Sequence, residues 1–458
     1  MRGCAGKFDG HTILHILHVM QRNFSMIALM LVLLLPACDL INGGAIMQTA
    51  ATTTPEAATP TATSAQVTAD PVVPAPVITE TSRTLTIWMP PEIALRNEAG
   101  AAILNDQLLA FAAAHPDLDV KLEYKSASGQ GSVLNYLRTG RNVAPDVLPD
   151  LIAIPTDQLA IAASEELVYP LNDLIDPALV DDLYPAAQAL VRSGEQIIGY
   201  PFALTSLPHL AYDRNTITTT IPLNWNELIA DSNNRFIFPA AGREGAILAL
   251  EFYLAAGGTL VDDAGQATLQ LEPFVTALEQ LSQGRNTGFI LLQSSNMSTL
   301  EETWQAFGAG SASLVETTSN QFLQENPDES AVAVAPVSGL NGPLTPLVNG
   351  WAWAISTPES TQRALAAELL SELASSANLG DWSHQSYVLP ARREAFMAWP
   401  PDEPYTGFVQ QELERAQPNP ISGNSNIMTT VGDAVFDVVS LAKSPQVAAE
   451  EAIAAIQQ

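Results

Sequence analysis

Side chains suited to covalent or metal chemistry are sparse in this chain and poorly spaced for it. It has 458 residues with six His and two Cys. His11, His15 and His18 have the one-face spacing of a helical metal site, but they fall in a stretch that reads as a removable leader. Cys4 and Cys38 are too few and too N-terminal to staple a fold or build a thiolate metal centre. No His-Glu-x-x-His motif, Gly-x-Ser-x-Gly elbow or Walker-type phosphate loop is present. Gly308-Ala-Gly310 lacks a third glycine and follows a helical pattern. Asp262-Asp-Ala-Gly265 lacks the later ligands of a calcium loop and reads as a turn. Carboxylates are abundant, and two of them brought within about 5–10 Å could cleave a glycosidic bond. A surface glycoside hydrolase is therefore the less favoured alternative to a chain that binds without reacting. No catalytic residue, metal or cofactor is expected.

The charge narrows the partners. Against 49 Asp+Glu stand 19 Lys+Arg, a formal charge of −30. Phosphate backbones demand clustered Lys and Arg, so nucleic acid is excluded as a partner. Electrostatic attachment to anionic lipid is disfavoured for the same reason. With 47% hydrophobic and 15% charged residues, the chain is globular in composition and long enough for two or three domains.

The N-terminal segment supplies another attachment. Ile27–Leu35 is an apolar run too short to span a bilayer, preceded by Arg22 and followed by Pro36-Ala37-Cys38. That is the order of a secretory signal peptide, assigned to residues 1–38, and Met20 makes a better start than Met1. The Cys after a small residue resembles a bacterial lipobox, with Pro36 unusual in it. The resemblance implies cleavage before Cys38 and its lipidation, an anchor of several acyl chains. Removal of the leader takes Arg2, Lys7, Arg22 and Asp9, so the remainder is two charges more acidic. Residues 39–83 then read as a disordered tether: between 49 and 82 there are ten Thr, eight Ala and five Pro.

Beyond the tether, strand and helix patterns alternate. Thr84–Met89 and Leu118–Tyr124 read as strands, with a helix over 97–114 between them. A helix begins at Val133, another at Trp225, and one covers 244–256. Val332–Ala335 and Trp351–Ile355 read as buried strands, and 431–456 as helical. This alternation predicts an α/β fold with ligand loops beyond the carboxyl ends of the strands.

In order, Leu85-Thr-Ile-Trp-Met-Pro-Pro91, Ala144-Pro-Asp-Val147, Gly199-Tyr-Pro-Phe202 and Ala211-Tyr-Asp-Arg-Asn215 resemble segments of one family. Pro222–Leu228, Gly257-Gly258, Trp304–Ala312, Asn349–Ser356 and Val388–Arg392 continue the series. The chain from Leu85 onward thus resembles the bacterial extracellular solute-binding proteins of family 1, the maltose-binding-protein-like sugar receptors. The resemblance implies a periplasmic-binding-protein-like type II fold, with two α/β lobes, a hinge and an interlobe cleft. The lobes are placed at 84–205 with 340–393, and at 206–339 with 394–458. It also implies ligand contacts from Pro90, Glu92, Ser128, Gln130, Asp150, Phe202, Thr205, Tyr212, Glu316, Thr318, Asn349 and Trp351. Phe202 and Trp351 would stack on apolar sugar faces, while carboxylates and amides would hold hydroxyls. Trp351 and Trp353 are read as lying on opposite strand faces, with Trp351 toward the cleft; Trp304 and Phe307 are read as core.

Ser313–Asn320 carries no aromatic where maltose receptors stack one, so a maltose ligand does not follow. The function implied is an extracytoplasmic, lipid-anchored receptor delivering a mono- or oligosaccharide to ABC permease subunits. The alternatives are receptors for a polyamine, a glycerol phosphate ester or a peptide. The candidate loops lack the Arg or Lys that a phosphate would want.

Overall fold

The computed structural model describes residues 83–457 apart from 263, 264 and 402. The leader, Cys38 and nearly all of the tether lie outside the described residues.

The first sheet is built from β1 (Arg83–Met89), β2 (Leu118–Tyr124), β3 (Leu151–Pro155) and β4 (Tyr200–Thr205). The second holds β5 (Pro208–Asp213), β6 (Phe236–Ile237), β7 (Leu314–Thr318) and β8 (Val332–Ala335). The chain then returns to the first sheet as β9 (Leu347–Ile355) and β10 (Leu389–Pro390). The order across the first sheet is β10-β4-β9-β3-β1-β2, with Gln417–Pro418 pairing the start of β9. The second runs β8-β5-β7-β6.

β1 explains why the first sheet needs cover on both faces. Its Leu85, Ile87 and Met89 enter one hydrophobic cluster, and Trp88 enters another on the opposite side. Parallel strands buried on both faces require helices on both. On one face lies the helix Glu98–Ala114, which buries Leu104, Leu108 and Phe111. Asn97 caps it by accepting from the Ala99 amide at 2.8 Å, and His115-Pro116 ends it. The second sheet packs on an aromatic core in which Trp225 meets Phe252 at 5.0 Å and Phe289 at 5.4 Å.

The chain crosses between sheets at Ser206-Leu207, and again between Ala335 and Leu347. Ser206 takes a left-handed φ of 62°, which turns β4 into β5. The first core cluster continues over this crossing to Ala211, Val315 and Phe322. Past position 393/394, the expected lobe boundary, the first core cluster continues through Phe396 and Tyr405. Helix Pro404–Arg415 packs on Pro185–Leu190, and its Val409 and Leu413 remain in the first cluster.

The C-terminal helical stretch is two helices rather than one, Ser425–Val439 and Pro445–Ile456. Leu441 at φ 66° reverses the chain, Ser444 caps the second helix and Pro445 occupies its first position.

Candidate functional site

A cavity of about 620 Å³ opens where the two sheets meet. β1 and β3 run parallel and β9 runs against β3, so the carboxyl ends of β1 and β4 lie beside the start of β9. That edge supplies Arg96, Thr205, Asn349 and Trp351 to the cavity. Asn349 pairs with Thr205 in register, which sets an amide beside a hydroxyl. Gly350 between Asn349 and Trp351 is a steric necessity, because a Cβ there would lie 2.6 Å from the Ala203 carbonyl. Its N–H donates to Thr156 Oγ1 at 3.1 Å, which ties β9 to the helix behind.

The opposite wall belongs to the second sheet and its helices. β7 contributes Glu316 and Thr318, and the helix Ser319–Glu325 adds Asn320, Gln321, Gln324 and Glu325. The start of helix Leu300–Gly308 adds Thr299, Leu300 and Glu301. Thr299 and Glu302 form a reciprocal capping box there. Glu244 accepts from the Leu300 amide at 2.5 Å, while Gln321 donates to the Leu300 carbonyl at 2.9 Å. Asn320 accepts from the Ser206 amide at 2.7 Å and donates to the Tyr387 carbonyl at 3.1 Å, so it locks the crossing.

Glu316 is the most unusual group in the cleft. It is 2% exposed, yet its Oε2 has no hydrogen-bond partner among the described residues. Burial pushes its carboxyl up to about 8, and the neighbouring Glu244 adds to the effect. Glu251 is also buried, accepting from the Leu347 amide at 3.1 Å. Burial, then the charge of Glu316, holds it well above the usual carboxylate range.

Of the twelve expected contacts, Thr205, Glu316, Thr318, Asn349 and Trp351 line this cavity. Phe202 does not. It is buried in the core, stacked on Trp353 at 4.7 Å and close to Trp382 at 5.4 Å. Asp150 is buried at the amino end of β3, away from the ligand edge, where it accepts from the Thr86 amide at 2.9 Å. Pro90 is buried as the cap of the short helix Pro91–Ala94. Glu92 reaches sideways to accept from the Ala127 amide at 3.3 Å, joining the loops after β1 and β2. Ser128 and Gln130 are exposed beyond β2 and stand outside the cavity lining, and half-buried Tyr212 packs against the second cluster.

Trp351 and Trp353 share a strand face, as their two-residue separation requires, instead of pointing oppositely. Both touch the first cluster; Trp351 lies at the cleft end and Trp353 deeper. Trp304 and Phe307 are buried.

Several lining residues escaped the sequence reading. In the segment after β1 the cavity residue is Arg96, four residues past the expected Glu92. Thr299-Leu-Glu-Glu302 carries a capping-box signature that could have marked a helix start at the cleft. Glu244 and Gln324 have no local signal. Among the described residues, no group of three or more His, Cys, Asp or Glu is arranged to hold a metal, and no helix is long and apolar enough to cross a membrane.

No curated protein matches the chain. Solved structures share its fold at low identity. The cyclic alpha-maltosyl-1,6-maltose binding protein of Arthrobacter globiformis is 15% identical with a TM-score of 0.68, over 81% of this chain and 97% of its own. The maltose-binding protein MalE of Listeria monocytogenes, solved with maltose, is 17% identical with a TM-score of 0.66, over 82% and 97%. The GacH receptor of Streptomyces glaucescens, solved unliganded and with acarbose, is 18% identical with a TM-score of 0.60, over 82% and 98%. The architecture is accordingly the two-lobed type II periplasmic-binding-protein fold. A family model described as bacterial extracellular solute-binding protein matches residues 108–405. With its two sheets, its crossings and the cleft between them, the chain belongs to the bacterial extracellular solute-binding proteins.

Proposed function

We propose that this protein is the substrate receptor of an ABC importer and captures a mono- or oligosaccharide in the cleft between its sheets. The observation that carries this reading is the cavity lining: one indole ring, Trp351, among Thr205, Thr318, Asn349 and the carboxylates of the facing wall. A sugar presents C–H faces to a ring and hydroxyls to oxygen and amide groups. The structures it resembles include proteins solved with maltose and with acarbose, which supports a carbohydrate ligand. Binding proceeds without chemistry; the lobes close about the crossing at Ser206, and the closed form delivers its ligand to membrane permease subunits. Lipid on Cys38 holds the protein on the extracytoplasmic face, with the Thr/Pro/Ala-rich segment as its tether.

A thermal-shift screen of the protein against sugars, polyamines and phosphate esters tests the ligand class, because a solute that binds only the folded state raises its melting temperature. Stabilisation by sugars is expected. Stabilisation by phosphate esters alone would exclude the carbohydrate reading. Metabolic labelling with a fatty acid, lost in Cys38→Ala, tests the anchor.

A further inference from the structure

The charge of the cleft is lopsided. Glu244, Glu301, Glu316 and Glu325 line it, against the single guanidinium of Arg96 on the other wall. Two of these carboxylates already have neutral partners: Glu244 accepts from the Leu300 amide, and Glu301 from Gln305 Nε2 at 3.1 Å. Glu316 is different, being buried in the wall with an Oε2 unpartnered among the described residues. Closing two lobes over a cavity removes water from all of these groups at once. Desolvated like charges are costly unless a cation meets them. Leaving out Glu316, whose burial favours its protonated form, Arg96 is one positive charge facing three acids. A neutral ligand leaves that imbalance inside the closed cleft, and an anionic ligand worsens it. A protonated amine offsets it and donates up to three hydrogen bonds, one of which suits the empty oxygen of Glu316. Trp351, the one aromatic side chain in the lining, is of a type whose ring face also attracts a cation.

We infer that the cleft selects a solute in which hydroxyls are joined to at least one protonated amine, an amino-bearing saccharide. This rests on the reading of the cleft as a sugar site and specifies its ligand class. Glu316 is held largely protonated at neutral pH by burial with help from Glu244. Glu251 lies behind it, with Glu412 and Arg415 acting on Glu251 in turn. Arg96, Glu301 and Glu325 complete the charged groups of the cavity. An amine bound at Glu316 therefore draws off its proton, whereas a neutral sugar leaves the proton in place.

The test is isothermal titration of the full chain with amine and neutral sugars in matched pairs: glucosamine with glucose, and their α-1,4 and β-1,4 disaccharides. Spermidine serves as an amine without a ring. The amine member of a pair is expected to bind at least about tenfold more tightly. Proton release should appear as a dependence of the measured heat on buffer ionisation enthalpy. Glu316→Gln should reduce both the preference and the proton release, with its fold checked by circular dichroism. Glu325→Gln, at an exposed helix end, should reduce the preference without that folding risk. Equal or tighter binding of the neutral members overturns the amine inference and leaves the sugar receptor standing. Binding of spermidine alone overturns the sugar reading, and binding of no probe counts against both. An undiminished preference in both variants removes the carboxylates from the explanation.

Discussion

The wall contributed by the first sheet presents one ring, one guanidinium, one hydroxyl and one amide, whereas the facing wall presents four carboxylates among hydroxyls and amides. They also differ in how they are held. Thr205, Asn349 and Trp351 sit on paired strands, and the intervening Gly350 leaves no room for a Cβ. Glu244, Glu301 and Glu325 come from helix ends and a short turn; Glu244 is held by the Leu300 amide and Glu301 by the Gln305 side-chain amide. The first wall is therefore fixed by strand pairing and carries the aromatic side chain, and the second carries most of the charge. On the proposed reading, closure of the two lobes desolvates both walls together, which is when charge matters most.

The largest effect that tests this division comes from an aromatic residue behind the first wall. Phe202→Ala should cost about 3–5 kcal/mol of stability, read by chemical denaturation, because it empties a core site stacked on Trp353. Ligand affinity of the folded protein should be nearly unchanged. The reverse pattern would place Phe202 on the binding face.

Trp351→Ala should do the opposite. It removes the ring that lines the cavity, so affinity should fall about tenfold in titration calorimetry, with a smaller loss of stability. Unaltered affinity would show that the first wall does not stack on the ligand.

On the second wall, Glu316→Gln should raise the melting temperature by about 3 °C at alkaline pH and by little near pH 4.5. The carboxyl of Glu316 is raised from 4.5 to about 8, so the native state holds its proton more firmly than the unfolded chain does. Its stabilising contribution is full below the unfolded value and is lost as pH rises through about 8. Glutamine cannot ionise and escapes that loss, so the curves should separate with rising pH. Parallel melting curves across this range would mean that Glu316 is solvated in the native state.

The smallest effect belongs to the crossing that joins the walls. Ser206→Gly relieves a left-handed φ but frees the unfolded chain, and these terms nearly cancel. Stability should change by less than about 1 kcal/mol, and the backbone N–H to Asn320 should persist. A larger loss would mean that the Ser206 side chain braces the hinge.

Much of the scaffold was readable locally. The alternation in Thr84–Met89, the apolar spacing of 98–114 and the Asn97 cap each carry their own signal, and each appears as an element. The break at Leu441–Pro445 was also visible, since Pro445 cannot continue a preceding helix, but the Val/Ala/Leu spacing on either side masked it. The site was less legible. Thr205, Glu316, Thr318, Asn349 and Trp351 fall where family-like segments meet the cleft. Phe202 lies in an equally telling segment and Asp150 just after one, yet the first faces the core and the second sits at the wrong end of its strand.

The sequence by itself determined the α/β composition, the acidic charge, the absence of several reactive motifs and the family resemblance, because periodicity, charge and ordered motifs are properties of the linear chain. Only the tertiary structure decided which aromatics are core and which face the cleft. It also brought Arg96, Glu244 and Glu301 from distant segments to the cavity of Glu316. Strand direction and the crossing at Ser206 create that proximity, and no short window of residues encodes it. The buried oxygen of Glu316, without a hydrogen-bond partner among the described residues, sits on a strand whose neighbours β5 and β6 come from far away in the chain.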